Sequence, residues 1–520
     1  MADLSDHIRK DTLDKDLDKI VHVEEAANVV ARGLVAPGFG LLFLALTAIF
    51  TAIWFSGEPG AITIVAAAAI GAYMALNIGA NDVANNVGPA VGAKALTMVG
   101  ALLIAAIFEA AGALIAGGDV VDTISKGIID PAAVANPDVF VQLMLAALLS
   151  SAVWVNIATW IGAPVSTTHA VVGGVLGSGV AAAGFAAVDW GVMGSIAASW
   201  VVSPVLGGIM AALFLAFIKS AIIYQDDKIR AARRWVPLLI AVMAGSFAAY
   251  LATKGLRQLV HLDGISVAFL GAATFLFTWG VAHEHIRRLS HGMENRNQSL
   301  RKLFNLPLII SAAMLSFAHG ANDVANAVGP LAAIVSTVEF GGIAPTVGVP
   351  LWVMLIGAAG ISIGLLLFGP RLIRMVGEQI TRLNPMRAFC VALSAALTVI
   401  VASWFGLPVS STHIAVGAVF GVGFFREWYT ANSKRRRAYL ERKVTRQRAE
   451  REALGLQTLR EAMDEAEIEP EPEPLSREEA VRRRLVRRAH VTTIVAAWIT
   501  TVPASALLAA GIFWLLAAMG

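Results

Sequence analysis

The chain has 520 residues, 57% of them hydrophobic and only 15% charged, with a mean hydropathy of +0.70. Soluble domains carry about 25% charged residues, so this composition excludes an ordinary soluble enzyme and fits a membrane protein. The net charge of +3 is too near balance to signal a nucleic-acid partner, and the single Cys390 excludes an internal disulfide or a cysteine-rich metal site.

In chain order, residues 1–34 read as a mixed-charge cytoplasmic helix without the apolar run of a cleavable signal. An extra, uncleaved N-terminal span follows over 35–60. Further apolar runs lie near 61–80, 98–117, 140–161, 165–187, 192–218, 235–253 and 263–281. The last lie near 305–320, 346–368, 386–406, 409–425 and 491–517. A span needs about 20 apolar residues, so an all-α polytopic membrane protein with about 12–13 membrane segments is expected.

Basic residues gather in four connections. These hold Arg230, Arg233 and Arg234; Arg287, Arg288, Arg301 and Lys302; Arg371, Arg374, Arg382 and Arg387; and the arginine-dense stretch 426–490. With one crossing per segment all four fall on one side, which the positive-inside rule makes cytoplasmic. The connection 118–139 falls opposite and sets Asp119, Asp122, Asp130 and Asp138 against one lysine. The N-terminus is then inside and the C-terminus outside. The stretch 426–490 reads as a charged cytoplasmic insertion, with basic helix near anionic membrane lipid and a flexible EIEPEPEP spacer.

The strongest signal is an internal repeat. Gly79-Ala-Asn-Asp-Val-Ala-Asn85 recurs unchanged as Gly320 to Asn326, and both copies run on to Val-Gly-Pro, ending at Pro89 and Pro330. Trp160-Ile-Gly-Ala-Pro-Val-Ser-Thr-Thr-His169 recurs as Trp404-Phe-Gly-Leu-Pro-Val-Ser-Ser-Thr-His413. Asp82 and His169 are 87 residues apart, and Asp323 and His413 are 90 apart. The chain thus divides into a first repeat over 61–218, linking spans and basic loops over 219–304, and a second repeat over 305–425. After the insertion, a final span over 491–520 completes the second repeat. Seven segments separate the two starts, and an odd number predicts two inverted-topology repeats whose broken helices meet near the midplane.

An ionised acid in hydrocarbon is costly, so Asp82 and Asp323 should face a polar cavity and meet a cation or a donor. Asn85 and Asn326, three positions on, share the helical face of their Asp. Gly and Pro at both ends of the motif are expected to interrupt the helix and free carbonyls, giving an oxygen site for Na+ or H+. The bland alternative is an interhelical Asp–Asn hydrogen bond. Asn81 and Asn322 could instead bond locally to the broken backbone. Pro164 and Pro408 suit a first helical turn. Ser166, Thr167 and Thr168, with Ser410, Ser411 and Thr412, then place hydroxyls beside free amides at helix N-termini, where an anion is favoured. Helix capping and packing are the plainer roles for them.

His169 and His413 read as structural hydrogen-bonding groups or as a proton relay. His319 has no counterpart, because position 78 is Ile, and symmetry argues against a core role for it. Glu109 also lacks a duplicate and suits either the ion pathway or a subunit interface. Ser150, Ser151 and Asn156 read first as helix–helix contacts, and Lys94 as a snorkelling side chain.

These duplicated motifs resemble the PiT family of inorganic phosphate transporters, whose signature is a doubled GANDVAN-type motif with PVSTTH and PVSSTH partners. The match covers roughly 61–218 and 305–517. The resemblance implies an inverted-repeat fold, symport of inorganic phosphate with H+ or Na+ across the cytoplasmic membrane, and a homodimer moving by an elevator-like or rocking motion. It implies that Ser166, Thr167, Thr168, Ser410, Ser411 and Thr412 hold phosphate. Asp82, Asn85, Asp323 and Asn326 would hold the coupling cation, and no other cofactor or metal is indicated. The chain departs from the pattern in its N-terminal helix and span and in its long charged segment before the last span. A sulfate or other oxyanion symporter of the same design is the nearest rival. An intramembrane aspartyl protease built on Asp82 and Asp323 leaves the hydroxyl motifs unexplained. An ATP-driven pump lacks a GxxxxGK(S/T) loop in this sequence.

Overall fold

Caps and prolines fix where the helices start. Asn136 accepts from the Asp138 amide beside Pro137, Asp189 from the amides of Gly191 and Val192, and Asn384 from that of Arg387 beside Pro385. The computed structural model describes residues 34–134, 136–255, 262–343, 348–379, 383–453 and 488–519. The charged helix expected at 1–34, but for its last residue, and the EIEPEPEP spacer lie outside them.

The helices are α1 (Leu34–Trp54), α2 (Ala61–Gly92), α3 (Met98–Ala116), the short α4 (Gly118–Asp122), α5 (Pro137–Ile161), α6 (Thr167–Ala183) and α7 (Trp190–Ile218). Then come α8 (Lys228–Lys254), α9 (Gly264–Leu289), the short α10 (Asn297–Leu303), α11 (Asn305–Phe340), α12 (Leu351–Gln379) and α13 (Pro385–Trp404). The chain closes with α14 (Ser411–Asn432), α15 (Lys434–Ala453) and α16 (Arg488–Met519). Eleven helices among the described residues are long and apolar enough to cross a membrane. With α6, at 17 residues, and α14, they account for all thirteen apolar runs. The protein is an all-α, multi-pass membrane protein.

Two expectations about the helices need correction. First, GANDVAN does not interrupt them: α2 and α11 run unbroken for 32 and 36 residues, with Pro89 and Pro330 inside. A proline forfeits one backbone bond, yet both helices continue past theirs. The motif glycines serve close packing instead. A methyl group on Gly79 would clash with the Ile361 carbonyl of α12, and one on Gly320 with the Glu109 carbonyl of α3. The breaks fall at the second motif, where 162–166 and 405–410 are non-helical after α5 and α13.

Second, α5 and α6 do not each cross the membrane. An antiparallel bridge joins Ile129 to Val188, and the Asp130 amide donates to the Ala187 carbonyl at 2.9 Å. The start of α5 and the end of α6 therefore lie together, and Thr167 at the start of α6 meets Asp323 midway along the 36-residue α11, so the pair turns back inside the bundle as a re-entrant hairpin with its tip at 162–166. The pair α13 and α14 repeats this arrangement, with its tip at 405–410. Removing two segments at each place leaves the parity of the crossings unchanged.

Packing is exchanged between the repeats. Helix α2 packs on α12, as α11 packs on α3; α6 packs on α16, as α14 packs on α7. At the second pair of crossings a methyl on Gly177 would meet the Ala506 carbonyl, and one on Gly421 that of Gly208. The basic connections gather on one face. Arg233 Nε donates to Ser290 Oγ at 2.7 Å, Asn295 Nδ2 to the Asp226 carbonyl at 2.6 Å, and Tyr224 stacks on Tyr429 with ring centroids 5.8 Å apart.

Candidate functional site

The unbroken α2 and α11 bring their acids to the two hairpin tips. Asp82 and Asp323 are each 1% exposed, so each charge must be met inside the protein. Thr167 Oγ1 lies between them, 2.9 Å from Asp82 Oδ2 and 3.1 Å from Asp323 Oδ2. Thr412 Oγ1 donates to Asp82 Oδ1 at 2.9 Å and accepts from Asn85 Nδ2 at 2.8 Å. Asn326 Nδ2 donates to Thr168 Oγ1 at 3.2 Å. Each acid-bearing helix thus engages hydroxyls from the opposite half of the chain, and hydrogen bonds join seven of the ten residues expected to bind ions: Asp82, Asn85, Asp323, Asn326, Thr167, Thr168 and Thr412.

The tips themselves are held by the motif asparagines. Asn81 Nδ2 donates to Thr159 Oγ1 at 2.9 Å and to the Ala163 carbonyl at 3.3 Å, while its Oδ1 accepts from the Val165 amide at 3.3 Å. Asn322 repeats this with Ser403 Oγ at 2.9 Å, the Leu407 carbonyl at 3.2 Å and the Val409 amide at 3.3 Å. Their partner is broken backbone, as expected, but that of the hairpin tips and not of their own helix.

Ser166 and Ser410 cap α6 and α14, accepting from the amides of His169 at 3.1 Å and His413 at 3.2 Å. Each keeps a hydroxyl proton to donate. The two helix starts meet: Thr168 Oγ1 donates to the Val409 carbonyl at 3.0 Å, and the rings of His169 and His413 cross edge to face, 4.3 Å apart. His169 also lies 3.8 Å from the Trp200 ring. Two positive helix ends at one point favour an anion. Ser411 Oγ, Asp323 Oδ1 and Asn326 Oδ1 are buried without a protein hydrogen bond, leaving a donor for an anion and two acceptors for a cation.

Sequence reasoning missed His319. It is fully buried at the centre of the acids, with Nε2 at 3.3 Å from Asp323 Oδ2 and 3.6 Å from Asp82 Oδ2. Its Nδ1 lies 3.2 Å from Glu109 Oε2, and Glu109 Oε1 accepts from Asn86 Nδ2 at 2.8 Å. Glu109, 0% exposed, is thus linked through His319 to both acids and lies away from the protein surface. The missing counterparts form a set: Ile78, Ala327 and Ile361 stand at the repeat positions of His319, Asn86 and Glu109, the last matched by the Gly79 and Gly320 crossings. One atom from each of Asp82, His319 and Asp323 lies within 4.8 Å of the others, a spacing that can hold a metal ion. The readable signal was the spacing of His319 and Asp323, four residues apart on one helix face.

The contact roles expected of the α5 residues divide. Asn156 Nδ2 donates to Asn77 Oδ1 on α2 at 3.0 Å, and Ser151 Oγ to the Ala170 carbonyl on α6 at 3.0 Å. Ser150 Oγ donates within its own helix, to the Ala147 carbonyl.

Comparison with known proteins places this arrangement. The profile described as Phosphate transporter family matches residues 78–509. A Helicobacter pylori protein provisionally named a phosphate permease is 45% identical, over 96% of this chain and 98% of its own. A Pyrococcus abyssi protein of the same provisional name is 42% identical over 69% of this chain and 87% of its own. A solved structure described as the sodium-dependent phosphate transporter superposes with a TM-score of 0.74 at 33% identity, covering 88% of this chain and all of that one. The chain is a multi-pass transporter and not an enzyme, and it belongs to the phosphate transporter family.

Proposed function

We propose that the protein carries inorganic phosphate across the cytoplasmic membrane together with a cation, and that Na+ is the coupling ion. The observation that carries this reading is the convergence of both motif pairs on Thr167, between Asp82 and Asp323. Two carboxylates this close repel unless a positive charge joins them. Asp323 Oδ1 and Asn326 Oδ1, buried and without donors, suit a hard cation that takes several oxygens. The hydroxyls of Ser166, Thr167, Thr168, Ser410, Ser411 and Thr412, at two facing helix starts, would wrap a tetrahedral oxyanion, with the cation balancing its charge.

A second coupling ion, H+, is favoured by one observation: His319 stands between the acids, where Nε2 can carry a proton toward either carboxylate. The exchanged packing supports two repeats inverted across the membrane, with the basic face toward the cytoplasm. A homodimer completes the reading.

Uptake of labelled phosphate by proteoliposomes under separate Na+ and H+ gradients tests both ions. Phosphate uptake driven by the Na+ gradient alone is expected. Uptake of sulfate with no uptake of phosphate would overturn the substrate, and uptake driven only by H+ would exchange the coupling ion. The mass of the purified protein in detergent tests the dimer.

A further inference from the structure

Helix α2 leaves the transport site behind at Asn85 and ends at Gly92, about 10 Å further along its axis. Beyond it the chain turns at Lys94, whose φ of 60° is the one positive value at a non-glycine position among the described residues. There Lys94, Arg301, Lys302 and Arg387 line a cavity of about 370 Å³. They come from three separate stretches of chain: the end of α2, helix α10, and the start of α13. Asn305 and Asn384 add amides to the wall, and none of the described residues lining it is a carboxylate.

Charge makes this arrangement costly by itself. Arg387 has Arg301 and Arg426 as charged neighbours, and its Nε donates to the neutral Asn384 Oδ1 at 3.2 Å. Like charges held together repel, more so where one of them is half-buried and poorly screened. An anion with two charges removes that repulsion. Guanidinium groups recognise phosphate oxygens in pairs, and ammonium groups add point charges. The start of α13, at Asn384 and Pro385, contributes its dipole in the same sense.

We propose that this cavity is a second anion site, separate from the transport site, that takes a phosphate group. The group belongs either to free inorganic phosphate or to a phospholipid headgroup, since the cavity lies on the face where the basic connections gather. This does not rest on the transport reading, because none of its residues belongs to the transport site.

Its test is the protection of Lys94 and Lys302 from an amine-reactive ester, followed residue by residue by mass spectrometry on the full chain. One arm adds inorganic phosphate in detergent. The other compares nanodiscs of phosphatidylglycerol with nanodiscs of phosphatidylcholine. The expected result is labelling slowed about tenfold in at least one arm. Protection by free phosphate identifies the solute, and protection by phosphatidylglycerol alone identifies the headgroup. In the variant Arg301→Gln/Arg387→Gln half-protection should need about 100-fold more ligand, about tenfold for each guanidinium removed. Asp82→Asn should leave protection unchanged. Lys94→Gln, read at Lys302, replaces the double variant if that one fails to fold. No protection in either arm, equal protection by sodium chloride at matched ionic strength, or protection retained without the arginines would overturn the proposal.

Discussion

Replacing Thr167 by valine removes one hydroxyl and keeps the shape of the side chain. That oxygen sits 2.9 Å from Asp82 Oδ2 and 3.1 Å from Asp323 Oδ2. It carries one proton, so it satisfies one carboxylate at a time, while it accepts from Asn326 Nδ2 at 3.5 Å. A hydrogen bond to a charged group is worth about 1.5–3 kcal/mol. At 1.36 kcal/mol for each factor of ten, losing it should lower phosphate uptake by about 10- to 150-fold. The loss should fall on the half-saturation for the cation. Ser411, which stands at the repeat position of Thr167, has no protein partner for its hydroxyl. Ser411→Ala should therefore raise the half-saturation for phosphate instead and leave that for the cation near its original value. Thr167→Ser should restore uptake. The assay is proteoliposome uptake with each ligand varied in turn. Thr167→Val with wild-type uptake at limiting cation would refute the reasoning.

Glu109 Oε2 lies 3.2 Å from His319 Nδ1, and a polar contact to a charged group is worth about 1.5–3 kcal/mol, so Glu109→Gln and His319→Asn should each lower uptake about tenfold or more. The double variant should be little worse than either, because Glu109 acts through His319; additive losses in uptake would show independent roles. Gly320→Ala should lower the melting temperature of the purified protein, since the methyl strikes the Glu109 carbonyl and overpacking costs about 1–3 kcal/mol. Gly118→Ala, which meets nothing within 4 Å, is the control and should leave it unchanged. Asn322→Ala removes three hydrogen bonds from the second tip. Hydrogen exchange at 405–410 should then quicken while exchange at 162–166 stays as it was.

The duplicated motifs were legible because both copies keep their wording, and a positive-φ glycine and a proline mark each helix break, Gly162 with Pro164 and Gly406 with Pro408. The continuity of α2 and α11 was not legible. Whether a helix survives Gly79 or Pro89 depends on the neighbours packed against it, here α12 and its Ile361 carbonyl. The link of Glu109 to Asn86 and His319 was hidden for another reason. Symmetry discounts residues without a duplicate, yet these answer one another across some 200 residues of chain. A non-duplicated acid and a non-duplicated imidazole in an otherwise doubled sequence form a pair worth testing together.

The crossing of α6 with α16 has a consequence for how the protein is made. The glycine face of α6 meets the Val502 and Ala506 carbonyls, and Ser505 Oγ donates to the Ala170 carbonyl of α6. During synthesis that face is in the bilayer more than 300 residues before its partner leaves the ribosome. The first hairpin must wait, incompletely packed, until translation is almost finished. The second hairpin finds α7 already in place. Biogenesis is thus lopsided: the half written first is the half completed last, and a chain cut short before α16 leaves its earliest hairpin without a seat.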